Sequence, residues 1–171
     1  MSVYGVWGDD SIKAKQQIKL LENSDCHIVI SSDDMEANET EDQWTKQKIL
    51  NGLPDVFLET QEKFVAQMLN LDLIDGISFS KGCYTGQEII ARMQHLGRIK
   101  RRMLAFEVEN ALAIGDKFEI DGQSLGQVVN FVELDKKRLA VVCVQLEKYQ
   151  KSETNNALLI NYKYTIEELN T

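Results

Sequence analysis

From Arg98 onward the apolar residues change from helical spacing to a strand-like period of two, which commits the C-terminal part to antiparallel β structure. Met103-Leu104-Ala105-Phe106-Glu107-Val108, Lys117-Phe118-Glu119-Ile120, Leu125-Gly126-Gln127-Val128-Val129 and Leu139-Ala140-Val141-Val142-Cys143-Val144 all have strand length. Asp121-Gly122 is a hairpin turn signal between the second and third of these runs. Several short strands with glycine-bearing turns predict a small antiparallel β-barrel over residues 98–171. Arg98-Ile99-Lys100-Arg101-Arg102 opens this region with four positive charges in five residues. On a strand, Arg98, Lys100 and Arg102 share one face while Ile99, Arg101 and Met103 share the other. Two readings stay open for this run: a solvated strand edge guarded by basic side chains, or a site for polyanions.

Residues 1–97 read as a more helical α+β body. Val3 to Trp7 is short, apolar and strand-like. Asp10 or Ser11 is placed to cap a helix with Ile12, Ile18 and Leu21 along one stripe, followed by a strand from Cys26 to Ile30. The pattern predicts a β-α-β fragment of an α+β layer. The acidic stretch at about 33–42 reads as a mobile loop or linker. A helix is expected from about Gln43 to Leu50, ending at Asn51-Gly52 just before the chain's only proline, Pro54. Asp75-Gly76 is a further turn signal.

The chemistry concentrates in Lys81-Gly82-Cys83-Tyr84-Thr85-Gly86-Gln87-Glu88. Ile89, Ile90, Met93 and Leu96 follow at helical spacing, and Gly97 marks a stop. Thr85 and Glu88 have the T-x-x-E spacing of a capping box, which predicts a helix start at Thr85. Cys83 would then lie just outside a helix N-terminus, whose partial positive charge favours a thiolate, and Lys81 would favour it further. The run therefore predicts a reactive cysteine. Of the chain's two histidines, His95 lies about three turns down the same helix at ~1.5 Å per residue, too far to serve Cys83 as a base. The plainer alternatives are a glycine turn with a partly buried thiol, and a Glu88 that only caps the helix or pairs with Arg92 at i,i+4.

These residues carry a resemblance. Together with Asn70-Leu71-Asp72, Gly76-Ile77-Ser78-Phe79, Ala91-Arg92, Gly97 and Lys100-Arg101, the K-G-C-Y-x-G-Q-E string resembles the signature of the YgfZ family, within the superfamily of the glycine-cleavage T-protein, an aminomethyltransferase. Tyr4-Gly5-Val6-Trp7-Gly8 and Gly52-Leu53-Pro54-Asp55-Val56 also fit. The resemblance implies a partial T-protein-like body followed by the C-terminal barrel. It also implies a tetrahydrofolate-binding accessory protein that supports iron–sulfur client enzymes and, through them, tRNA thiolation. Cys83 would be the functional thiol and Lys81 its partner, with Tyr84, Gln87, Glu88, Arg92 and Arg98 on the folate side. The basic run at Arg98 could then meet a folate polyglutamate tail.

Three departures from the family pattern bear on this. The N-terminal part of the family's length has no counterpart before Tyr4. Leu50 stands where many relatives carry a carboxylate suited to the pterin, and Ala66 replaces a usual proline before Gln67. The first two predict weak or absent folate binding. Two other functions stay open: a true aminomethyltransferase, and a shortened, non-catalytic interaction module. Whether the chain is an enzyme is left open with them, as is self-association through an apolar patch.

Composition narrows the surroundings. Cys26, Cys83 and Cys143 are odd in number and widely spaced, which fits neither a disulfide framework nor a zinc site. Adjacency puts Cys26 and His27 on opposite faces of a strand, against a shared metal. The net charge of −8 argues against broad nucleic-acid binding. No apolar run approaches the ~20 residues of a membrane span, and the first residues lack a signal-peptide layout, so a cytoplasmic protein is expected.

Overall fold

A computed structural model of the chain describes residues 2–8, 16–20, 25–152 and 158–159. The architecture is α+β, with two antiparallel sheets and three α-helices among the described residues. The first sheet comprises β1 (Ser2–Val6), β2 (Gln16–Lys19) and β3 (His27–Ser31) in the order β1-β3-β2. This corrects the expected β-α-β fragment. Ile18 lies on a strand opposite Ile28, and the Leu20 N–H donates to the Cys26 carbonyl at 3.1 Å. Pairing with β3 satisfies the backbone of 16–19 without a helix, and Ile18 is left half exposed rather than on a buried stripe. Ile12 and Leu21 lie outside the described residues.

Helix α1 (Glu41–Leu50) follows as expected and begins two residues earlier, within the acidic stretch. Thr40 caps it by accepting from the Gln43 N–H, and Glu41 and Asp42 favour its positive end. Trp44 lies across β1 and stacks on Trp7 with ring centroids 5.9 Å apart. Only a glycine fits beneath it, because a Cβ at Gly5 would overlap the indole.

The second sheet runs β5-β6-β7-β4-β8, where β4 is Arg101–Glu107, β5 Lys117–Ile120, β6 Gln123–Leu134, β7 Lys137–Gln145 and β8 Leu158–Leu159. It is open among the described residues, so the expected closed barrel is not formed. Closure would require the outer strands β5 and β8 to pair, and no such pairing occurs among the described residues. The β6–β7 hairpin supplies the long ladder, with its register shifted between Val128 and Asn130.

Period two reappears here as two buried faces. Met103, Ala105, Val141 and Cys143 face a layer containing Ile49 and Leu69, joined by Leu50, Phe64, Met68 and Leu71. Leu104, Phe106, Val142 and Val144 face Phe118, Leu125 and Leu146 of helix α3 (Leu146–Lys151). Asp55 ties α1 to β6: it accepts from Lys48 Nζ at 2.8 and 3.0 Å and from Asn130 Nδ2 at 2.8 Å. No helix among the described residues is long and apolar enough to cross a membrane.

Candidate functional site

The cysteine run occupies an irregular loop leading into helix α2 (Gln87–Leu96). The predicted capping box is not formed. Gly86, at φ 86°, is the residue that caps α2, and no side chain caps from that position. The reason is local: the left-handed turn at Gly86 brings Tyr84 and Gln87 together instead, at the same three-residue spacing. The Gln87 N–H donates to the Tyr84 carbonyl at 3.3 Å, and the Tyr84 N–H donates to Gln87 Oε1 at 3.2 Å. A second link closes the other side of the loop, where the Lys81 N–H donates to Ser78 Oγ at 3.2 Å. Cys83 sits exposed between these two closures, beside an open Gly82.

The Lys81 ammonium lies 4.7 Å from the centre of the Tyr84 ring. A cation over an aromatic face is attracted by the ring quadrupole, and this contact orients Tyr84 across the loop. Glu88 and Arg92 are exposed on successive turns of α2, and no ion pair between them is formed. Arg98 and Lys100 are also exposed; both help Lys151 hold the Glu147 carboxyl below the usual range, the Lys151 hydrogen bond being the largest cause. His95 is exposed further down the helix.

The other two thiols are buried, and none of the three is in a disulfide. Burial pushes the Cys143 thiol up to about 12, with Arg101 pulling weakly the other way. Cys26 accepts from Asn51 Nδ2 at 3.4 Å, while the His27 ring turns to the Asp25 carbonyl. No cluster of three metal-ligating side chains occurs among the described residues.

A buried polar chain behind the loop joins α2 to the large sheet. Gln67 donates from Nε2 to the Ile90 carbonyl at 2.8 Å, and its own carbonyl accepts from Arg102 Nη1 at 2.9 Å. The Arg102 guanidinium, 1% exposed, grips Asp72 through both nitrogens, at 2.6 and 3.0 Å. Asn70, in the left-handed conformation, exchanges two hydrogen bonds with the Met103 backbone. Arg102 is therefore removed from the solvated strip expected for residues 98–102, because a carboxylate within the fold neutralises it. The strand begins only at Arg101, and β8 pairs with it only at Phe106 and Glu107, so the start of β4 has β7 on one side and, on the other, the Asn70 side chain bonded to the Met103 backbone. Gln67, Asp72 and Arg102 form a buried link that the sequence reading did not foresee, Asp72 having entered only with the family string and Arg102 only with the basic run. Asn70-Leu71-Asp72 in the signature, with an arginine at the head of a strand, was the available signal.

The residues present do not fit a folate. Gln87 spends its amide oxygen on the Tyr84 N–H, Glu88 and Arg92 are exposed, and Leu50 packs against the core with no acceptor to offer a pterin. No step through folate follows from this arrangement.

No family model matches the chain. A protein named tRNA-modifying protein YgfZ from Colwellia psychrerythraea is 52% identical over 60 residues, 35% of this chain and 18% of that protein. Another of that name, from Hamiltonella defensa, is 30% identical over 135 residues, 71% of this chain and 40% of its own length. A protein from Haemophilus influenzae described only as uncharacterized is 32% identical over 142 residues, 78% of this chain and 51% of its own. The chain thus spans about half or less of the curated relatives it matches.

Proposed function

We propose, for a chain that belongs to the YgfZ family, a role in tRNA modification as an accessory factor to iron–sulfur client enzymes, with Cys83 as its functional thiol. One observation carries the assignment: of three cysteines, only Cys83 is exposed, and it lies in the string that carries the family likeness. A thiol held between two hydrogen-bonded closures can meet a large partner, whereas Cys26 and Cys143 cannot without unfolding. Lys81 acts here through Tyr84, as a positioning residue that keeps the ring across the loop. The setting proposed is cytoplasmic.

Folate binding by this chain is weak or absent in this reading, and Leu50 supports that view. A lost acceptor leaves buried donors unpaired at about 1–3 kcal/mol, roughly tenfold to a hundredfold in affinity. The Leu50 packing also favours a second reading, an interaction module without folate chemistry.

The test is complementation of tRNA thiolation in a bacterial strain lacking its own YgfZ protein. The unmutated chain should restore thiolation, and Cys83→Ser should not, while both melt at similar temperatures. The swap keeps the volume close but removes the group able to act as a thiolate. Full activity of a folded Cys83→Ser would refute the thiol role, and failure of the unmutated chain would favour the interaction module. Titration calorimetry with tetrahydrofolate separates the aminomethyltransferase alternative, which requires tight binding.

A further inference from the structure

The first sheet carries a groove of about 890 Å³, remote in sequence from the Cys83 loop. Its floor is β1, the outer strand of the order β1-β3-β2, and its far wall is the segment from Met35 to Glu41 with the Trp44 indole above. In an antiparallel pair alternate residues turn their N–H and C=O groups away from the partner, so β1, at the end of the strand order, presents one row of them with no strand paired to it among the described residues. The wall is fixed in place. The Met35 N–H donates to Tyr4 Oη at 2.9 Å, and Thr40 holds the Gln43 and Trp44 amides at the start of α1. Consecutive residues of β1 line the groove, so it follows the strand's length, ~17 Å for five residues at ~3.3 Å each.

The chemistry of the lining selects the occupant. Glu36, Glu39 and Glu41 are exposed along the wall, and the stacked Trp7–Trp44 pair stands at its end. Carboxylates and indole faces both attract ammonium and guanidinium groups. An open strand edge supplies main-chain hydrogen bonds to an extended peptide, and the side chains beside it choose among peptides.

We propose that the groove is a docking site for an extended, basic segment of a partner protein, which adds to β1 as a further strand and places lysine or arginine side chains against Glu36, Glu39, Glu41 and the tryptophan pair. This inference stands apart from the thiol assignment and survives its failure. The opposite charge of groove and peptide limits promiscuous pairing of an otherwise exposed edge.

The test is fluorescence anisotropy of the full chain with a labelled octapeptide alternating valine and lysine. Two control peptides replace lysine with glutamate, or carry N-methyl groups that abolish backbone pairing. The lysine peptide should bind and shift the backbone amide resonances of Val3 to Trp7, and both controls should fail. Changing Glu36 and Glu39 together to Gln, both on the surface and outside α1, should weaken binding about tenfold without altering the melt. Absence of binding, equal binding of the glutamate peptide, or indifference to the two substitutions would overturn the proposal. So would a dimer in sedimentation that the Glu→Gln substitutions leave intact but Val3→Pro dissociates, since a second copy would then occupy the edge.

Discussion

Replacing Asp72 with alanine should cost more stability than any surface change in this chain, because of what it leaves behind. Arg102 is 1% exposed and Asp72 8%, and two short hydrogen bonds join them. Without the carboxylate the guanidinium keeps only the Gln67 carbonyl as a partner among the described residues. Truncating one member of a buried ion pair typically costs about 3–5 kcal/mol, because a charge stays desolvated and uncompensated. Against a total stability of about 5–15 kcal/mol, that is about a fifth of the fold's stability at the least. Urea unfolding followed by far-ultraviolet circular dichroism would measure it. With a slope of about 2 kcal/mol per molar, the midpoint should fall by about 2 M. Replacing both partners, Asp72→Leu with Arg102→Met, should recover most of the loss, since apolar side chains carry no desolvation debt. A single-variant loss below about 1 kcal/mol, or a double variant as unstable as the single, would refute the account of a buried neutralised pair.

Other expectations follow from the same structure. Iodoacetamide should label Cys83 in the native protein far faster than Cys26 or Cys143, read by peptide mass spectrometry; faster labelling of Cys143 would contradict its burial. Burial pushes the Cys143 thiol up to about 12, against ~8.5 for an unfolded cysteine, so the unfolded chain should lose its proton first and stability should fall as pH rises from about 9 toward 12. Cys143→Ala should flatten that fall in alkaline melts, and an unchanged slope would assign it to other groups. Gly5→Ala should drive a methyl into the Trp44 indole, at about 1–3 kcal/mol and with a change in tryptophan fluorescence. Gln87→Ala should leave the melt within about 0.5 kcal/mol yet raise hydrogen exchange at the Tyr84 amide, because it removes one acceptor from an exposed loop.

The sequence by itself determined the parts that short-range physics decides. Helix α1 ends at Asn51 before Pro54, and the Asp121-Gly122 turn joins β5 to β6, both as local signals require. The apolar runs after Arg98 foretold strands, whereas the burial of both their faces came from the layers packed on either side; the string around Cys83 singled out the one exposed thiol. Tertiary structure decided what depends on distant partners. Residues 16–19 became a strand because β3 offered an edge, which no window of local sequence contains. The Asp135-Lys136 hairpin turn takes two positive φ angles without a glycine, held by the long ladder on either side of it. Arg102 left the basic run for the interior because Asp72, thirty residues earlier, was brought beside it. Barrel closure likewise turns on whether the outer strands meet, a matter of sheet geometry that alternation alone does not encode. Local patterns fix which backbone conformations are cheap, while burial and charge pairing across the fold select among them.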